Sequence, residues 1–475
     1  MIAPSLHPGP ARAACERRRR WGFGLTPRSV GLLAIGFAWL VPGFWDGRLA
    51  YAMLAWDGLV LLAAVLDGLR LPAPGELIVE RAWSNAPSLD SLTEIVLTVE
   101  NHGEVILDCR LVDDLPPALV AEPAMHRVTA FPAVPASVRY RVEPLERGDV
   151  QAGSLYVRYR SPLGLVEEWA RAPLAQTVRV YPALRAGEEQ QIFLARSRQI
   201  DLQLRRAQQR GLGRDFESLR EYREGDDLRD ICWTATARRG SPITRQYQTE
   251  RSQPVWIVLD CGRLMRARVA AVAPGTGALP VGGAGPRVHS KLDFACTTAV
   301  ALAQLALYSG DRVGLLAYGQ GIQQRLLPGR GAAHLRQLIE LLAQVRAEGS
   351  EADHLRASAT LNRLQPRRSL VLWVTDLAET AMRPEVIDGA IHLLRRHVLL
   401  FVAMAQPEVE AIAQVRPKNV EQMFRATAAQ EMAGRRELLL ARLQEQGALT
   451  LDLNPDALTS SVLNRYLMVK ERALV

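Results

Sequence analysis

At 475 residues and 48% apolar, the chain exceeds one typical domain and carries enough apolar side chains for two or three packed cores. Its formal net charge is +8, but six arginines stand against one acid before residue 29, so the remainder is only mildly basic. That distribution argues against nucleic-acid binding, which needs cations and aromatic rings gathered on a folded face. The five cysteines (Cys15, Cys109, Cys232, Cys261, Cys296) are far apart and form no C-x-x-C pair, which excludes a zinc knuckle or disulfide framework and predicts reduced, buried thiols.

Residues 1–28 read as a basic tail ending in "CERRRRWGFGLTPR". Two apolar runs follow within 29–66, "SVGLLAIGFAWLVPGFW" and "LAYAMLAWDGLVLLAAVL", separated only by Asp46, Gly47 and Arg48. Each is near the minimum that spans a bilayer, roughly 17 to 20 residues, so the spacing predicts a two-helix transmembrane hairpin. Trp39, Trp45 and Tyr51 cluster at the turn, where amphipathic rings favour the interface, and the arginines lie at the other side. By the positive-inside rule, both the N-terminus and the rest of the chain would then face the cytoplasm. Two rivals stand beside this reading. One is a cleaved signal peptide using "AYA" at 50–52. The other is a helical hairpin buried in a soluble protein, which Asp57 favours slightly unless it marks a helix–helix contact.

From 75 to 182, short alternating runs such as "SLTEIVLTVEN" and "SLYVRYRSPLGLVEEW" are cut by Pro and Gly, which predicts an all-β sandwich. In "YVRYR" the alternation sets Tyr156 and Tyr159 on opposite faces. Residues 183–253 are charged and mixed in sign and read as a connector, within which "LRAGEEQQIFLARSRQIDLQLRRAQQRG" looks helical or loosely ordered. From 254 to 475, near-continuous apolar runs ("PVWIVLD", "DRVGLLAYG", "RRSLVLWVTD", "HVLLFVAMAQ") alternate with amphipathic stretches. This is the pattern of a Rossmann-like α/β domain with a parallel sheet covered on both faces. Ligands of such sheets bind beyond the strands' C-terminal ends, which puts Asp260 and Asp376 on the functional rim if their strands are adjacent.

A divalent cation such as Mg²⁺ would want oxygen ligands in octahedral array there. Asp260 is followed by Cys261, Gly262, Arg263 and Leu264, which supply no hydroxyl, and Arg263 brings positive charge. Binding of Mg²⁺ is therefore expected to be weak or absent, with Asp260 bonding loop amides instead. Beside this rim, residues 266–290 form a Gly-, Pro- and Ala-rich loop that could cover it. Within it, "GTGALPVGGAGP" lacks GK[ST] and is no phosphate cradle. A thiol hydrolase built from Cys232 or Cys261 with His289 or His334 is conceivable, but nothing in the sequence sets a base beside either thiol.

The stretch "GRDFESLREYREGDDLRDICWTATARRGSPITRQYQTE", 213–250, has matches at fixed spacing to a known signature. They are Gly213, Phe216, Leu219, Arg220, Tyr222, Gly225, Asp226, Arg229, Ile231, Trp233, Ala237 and Arg238, with Glu250 following. On these residues the chain resembles the domain-of-unknown-function 58 family, membrane-anchored proteins with a von Willebrand factor A-like domain; it departs at Cys232, where an Asp is usual. The last two hundred residues also resemble an A-type domain, whose metal site takes D-x-S-x-S after the first strand, a later Thr and a distal Asp. Here Gly262 and Leu264 replace both serines, Asp376 matches the distal Asp, and only Ser350 or Asp353 could stand for the Thr.

The resemblance implies a bacterial inner-membrane protein with its soluble domains in the cytoplasm, working as an adaptor or assembly factor with a MoxR-type AAA+ ATPase. With seven arginines and eight acids, the 213–250 stretch can neutralise itself through Arg–carboxylate pairs. Arg220, Asp226, Arg229 and Arg238 around Trp233 are expected to form a partly buried polar cluster that either staples the connector or docks a partner. The overall expectation is a non-catalytic protein-interaction module without a cofactor. The alternatives are a Mg²⁺-dependent adhesion module and the thiol hydrolase.

Overall fold

The computed structural model describes residues 8–17, 23–38, 48–123, 125–183, 193, 195, 215–223, 231–248, 253–270, 288–377 and 385–472. These divide into two compact units, one up to Ala183 and one beyond it.

The first unit is a β-sandwich carrying a helical pair. Its strands are β1 (Ala11–Ala14), β2 (Glu16–Arg17), β3 (Phe23–Leu25), β4 (Leu77–Trp83), β5 (Thr93–Asn101), β6 (Leu107–Asp113) and β7 (Leu119–Glu122). They continue as β8 (His126–Ala130), β9 (Ala136–Pro144), β10 (Gly148–Ala152), β11 (Leu155–Arg160), β12 (Val166–Ala172) and β13 (Gln176–Val180). One sheet runs β1-β4-β5-β9-β7 and the other β2-β12-β11-β6-β8, with β3 also on β12; β10 and β13 form a separate pair. Strict alternation in β4 and β5 sends Leu77, Val79, Ile95, Leu97 and Val99 inward to meet Leu107, Leu111, Leu155 and Val157 of the facing sheet. Tyr159 is fully buried and Tyr156 faces the other way, as the alternation requires.

The sandwich starts earlier than composition suggests. Residues 11–17 and 23–25, assigned from sequence to a basic tail, are strands: Ala13 pairs with Val79, Arg17 with Ala170 and Phe23 with Glu168. Short and partly charged, these strands carry too little apolar periodicity to be read locally. Their partners lie more than sixty residues away and supply the missing hydrogen bonds.

Between β3 and β4 lie α1 (Pro27–Phe37) and α2 (Arg48–Leu69). Thr26 caps α1 and Pro27 opens it, a pairing suited to a helix start. Helix α2 has 22 residues, about 33 Å, enough for a hydrocarbon core of about 30 Å. Tyr51, Leu54, Leu59, Leu62, Val65 and Leu69 are each more than half exposed. Helix α1 has 11 residues, about 16 Å, roughly half that thickness. The described residues thus contain one helix of spanning length, Tyr51–Leu69, in place of the expected pair; Trp39 and Trp45 fall outside them.

The two helices nevertheless touch. The Trp56 indole N–H donates to the Leu32 carbonyl at 2.9 Å, and Gly36 lets Trp56 and Asp57 approach so closely that a Cβ there would collide with both. Asp57 therefore marks a helix–helix contact. The pair's outer ends are fastened to one loop. The Thr26 hydroxyl donates to the Gly164 carbonyl at 2.6 Å, and the Ser29 hydroxyl to the Leu165 carbonyl at 2.9 Å. At the far end of α2, buried Asp67 accepts from the Ser161 hydroxyl at 2.5 Å and from the Leu163 and Leu165 amides, each at 3.2 Å.

The second unit opens with β14 (Asp215–Glu221) and β15 (Ile243–Gln248), an antiparallel pair flanking the short helix α3 (Trp233–Arg239). Within the connector the 213–250 stretch thus contains a strand pair, whereas of the stretch at 184–211 read as helical or loosely ordered only Phe193 and Ala195 are described, both helical. The main sheet comprises β16 (Pro254–Asp260), β19 (Arg312–Tyr318), β20 (Ile322–Gly329), β21 (Leu370–Thr375), β22 (Val398–Met404) and β23 (Leu449–Leu453). Its order is β20-β19-β16-β21-β22-β23, parallel except for the antiparallel edge β20. A small pair, β17 (Arg268–Ala270) and β18 (Val288–Ser290), follows β16. The helices are α4 (Lys291–Tyr308), α5 (Gly331–Gln344), α6 (His354–Leu364), α7 (Glu385–Leu394), α8 (Pro407–Gln414), α9 (Val420–Glu445) and α10 (Pro455–Glu471). The four apolar runs read from sequence are β16, β19, β21 and β22, buried almost throughout. Sheet order reverses between β16 and β21, the switch point where ligands of open α/β sheets sit.

Candidate functional site

Asp260 ends β16 and Asp376 follows β21, so the two carboxylates flank that switch point as expected of adjacent strands. Both are 3% exposed, and both are occupied by the protein. Asp260 accepts from the Gly262 amide at 2.7 Å through Oδ1 and from the Thr375 hydroxyl at 2.6 Å through Oδ2. Burial pushes its carboxyl above the usual range, against the pull of nearby His354 and these hydrogen bonds.

Asp376 has two buried cations instead of a metal. Lys291 Nζ lies 2.7 Å from Oδ2, and Arg436 Nη1 lies 3.3 Å from Oδ1. The Leu377 amide adds a bond at 2.8 Å, and the Gln406 amide reaches Oδ2 at 3.4 Å. Lys291 is held in place by its helix: β18 runs directly into α4, and Ser290 and Asp293 close a capping box around residue 291. A lysine in a helix's first turn opposes the helix dipole, so its burial there needs a compensating carboxylate. Arg436 comes from the middle of α9 and also grips Asp452 and the Met404 carbonyl at 2.8 and 2.7 Å. Burial alone would lower the Arg436 pKa, but Asp452 and Asp376 more than reverse this and raise it.

The remaining metal positions are equally committed. A Cβ at Gly262 would lie 3.0 Å from Ala352 and 3.1 Å from Asp260 Oδ1. Leu264 lies in a short 3-10 turn with no oxygen to offer. Ser350 donates its hydroxyl to Glu348 at 3.3 Å, and Asp353 caps α6 by accepting from the Arg356 amide at 2.8 Å. Arg263 points to solvent and pairs with Glu351 at 3.5 Å. A hard cation needs several free oxygens, and this rim presents two engaged carboxylates beside two ammonium-type charges. The donor set does not fit Mg²⁺.

Near the rim, Trp373 donates to the Tyr318 hydroxyl at 2.7 Å, which bonds His354 Nδ1 at 2.9 Å. Burial lowers the His354 pKa and raises that of Tyr318. All five cysteines are free and buried, in accord with the sequence reading. Cys261 is fully buried with Sγ 3.6 Å from the Leu259 carbonyl, and His334 spends Nε2 on the Val313 carbonyl at 2.7 Å. A thiol without access to solvent is inert, so Cys261 offers no accessible nucleophile here.

The signature residues separate into two groups. Gly213, Gly225, Asp226, Arg229 and Glu250 fall outside the described residues, as does most of the 266–290 loop. Phe216, Leu219 and Arg220 lie on β14, with Tyr222 just after it, and Trp233, Ala237 and Arg238 lie on α3. Trp233 is 70% exposed and Arg238 is exposed too, so these two members of the expected polar cluster are not buried. A seven-residue helix held at one end by Ile231 and Ile243 leaves its opposite face in water. Lys291, Thr375, Gln406 and Arg436 were not read from sequence. "SKLD" carries a capping-box signal that could have drawn attention to Lys291, whereas nothing local marks Arg436.

Residues 218–273 and 278–428 match the model of a family described as Protein of unknown function DUF58. Uncharacterized protein Rv1480 of Mycobacterium tuberculosis is 26% identical over 213 residues, 44% of this chain and 58% of its own length. The chain therefore spans little more than half of this curated relative. Among solved structures, conserved hypothetical protein BatB from Bacteroides thetaiotaomicron aligns over 47% of this chain and 100% of its own, at 14% identity and a TM-score of 0.28. The SpRpn10 VWA domain aligns over 44% and 94%, at 10% identity and a TM-score of 0.24. The chain thus matches the DUF58 family model over residues 218–273 and 278–428, and the carboxylate rim of its α/β unit is filled by its own lysine and arginine.

Proposed function

We propose that this protein is a non-catalytic, metal-independent protein-interaction module fixed to the bacterial inner membrane, acting as an adaptor or assembly factor for a MoxR-type AAA+ ATPase. The observation that carries the reading is the Lys291–Asp376–Arg436 cluster, which puts protein cations at the switch point of a sheet otherwise suited to ligand binding. A rim neutralised in this way recognises by shape and charge. Exposed Trp233, on a helix that also carries exposed Arg238 and Arg239, supports a docking role for α3, since Trp and Arg are enriched at interface hot spots.

Membrane attachment rests on α2. Strands β1–β3 precede the helical pair, β4 follows it, and all belong to one sandwich; Thr26 and Asp67 bond the same loop. If α2 crosses a bilayer, the chain must therefore cross back between residues 26 and 48, which favours a two-pass arrangement with both ends on one side; the positive-inside rule makes that side the cytoplasm. Recovery of the ATPase on tagged full-length protein from detergent extracts tests the reading. Trp233→Ala is expected to reduce recovery about tenfold or more while the protein stays folded, since a hot-spot truncation costs about 2 kcal/mol or more. Unchanged recovery would remove α3 from the docking surface.

A further inference from the structure

A cleft of about 550 Å³ opens beside the filled rim, between the turn after β16, strand β17 and the start of α8. Arg263, Arg266, Arg268 and Lys291 line it, and Asp376 is its sole acid among the lining residues. That acid is already matched by Lys291 and Arg436 and leaves no carboxylate in the lining for Arg263 and Arg266, which are exposed at the mouth. Arg266 is exposed and forms no ion pair among the described residues. Arg263 has only a solvent-exposed contact with Glu351 at 3.5 Å, and such surface pairs contribute about 0–1 kcal/mol and exchange readily.

We infer that this cleft binds the carboxylate side chains of an acidic segment on a partner protein, without a metal ion. Planar guanidinium groups grip carboxylates through paired N–H donors, and here two of them stand within four residues on one turn. Leu264, Val269 and Val409 form the apolar part of the wall, which suits the methylene stem of a glutamate better than a fully hydrated phosphate. The volume lies within the range of about 300–1,000 Å³ typical of ligand sites, room for a few side chains of an extended segment. This inference deepens the proposed function and rests on it.

Full-length protein in zwitterionic detergent, titrated against a fluorescein-labelled hexaglutamate peptide with both ends capped, tests it by anisotropy. Saturable binding is expected, unchanged by EDTA and weakened when NaCl rises from about 50 to about 300 mM, as screening requires. Arg263→Ala with Arg266→Ala should weaken it about tenfold or more, because each charge-assisted bond contributes about 1.5–3 kcal/mol. Both residues are exposed, so the variant keeps its fold, checked by an unchanged melting temperature. Equal binding by the arginine variant, equal binding of a hexalysine peptide, or complete displacement by inorganic phosphate at a concentration equal to the peptide's would overturn the inference. Loss of ATPase recovery by Trp233→Ala alongside unaltered peptide binding by the arginine variant would reject the cleft and leave the interaction module standing.

Discussion

Replacing Lys291 by alanine tests the idea that a protein ammonium stabilises the rim. The ammonium lies 2.7 Å from Asp376 Oδ2, with side-chain exposures of 3% and 1%. Breaking a buried pair from one side costs about 3–5 kcal/mol, because the surviving charge stays desolvated without its partner. Arg436 remains 3.3 Å from the other oxygen and shares the load, so the lower end, about 3 kcal/mol, is expected. For a unit of this size that lowers the melting temperature by about 6–12 °C. Thermal unfolding of full-length protein can be followed by tryptophan fluorescence, since Trp256 and Trp373 are fully buried in the main sheet. A cycle with Asp376→Ala should show coupling above about 1 kcal/mol, the double variant losing less than the two single losses combined. A loss below about 1 kcal/mol, or strict additivity, would refute the reasoning.

Restoring the two hydroxyls should not restore a metal site. Gly262→Ser with Leu264→Ser is expected to show no binding heat with Mg²⁺, because Lys291 and Arg436 still occupy Asp376 and a side chain at 262 crowds Ala352. A saturable heat would refute this. The second unit should also lose stability in mild acid. His397 is 4% exposed, bonds Ser369 at 2.9 Å, and has its pKa held below the usual 6.5 by burial, with Arg396 adding to the effect. Because the unfolded chain takes up that proton more readily, the stability present above about pH 6.5 is lost as pH falls through the lower folded value. Melting temperature plotted against pH should fall below about 6.5, and His397→Gln should flatten that slope; an unchanged slope would assign the acid sensitivity to other groups.

The helical pair shows how hydrophobic length and structure can diverge. The largely apolar run from 29 to 45 satisfies the length criterion for a span, yet the described part of α1 stops at Phe37. Asp57, costly in lipid if isolated, lies against Gly36 in the helix–helix contact, with its Oδ1 buried and without a hydrogen-bond partner among the described residues. Asp67 ends α2 as the anchor of loop 161–165, a role that depends on residues nearly a hundred positions away. The signature stretch carried the family resemblance correctly, but its spacing did not tell that Trp233 would lie in water.

What the sequence by itself determined is what depends on neighbours along the chain. Alternation in β4 and β5 selected strands with one buried face, continuous apolar runs selected the buried parallel strands, and the residues after Asp260 supply no hydroxyl ligands. Only the tertiary structure decided which distant groups would meet. It placed the short N-terminal strands in the sandwich, brought Lys291 and Arg436 to the two oxygens of Asp376, and left Arg263 and Arg266 lining a cleft. The physical reason is that periodicity reports which face of an element is apolar, whereas the pairing of charges depends on the low-dielectric interior created when remote elements close around them.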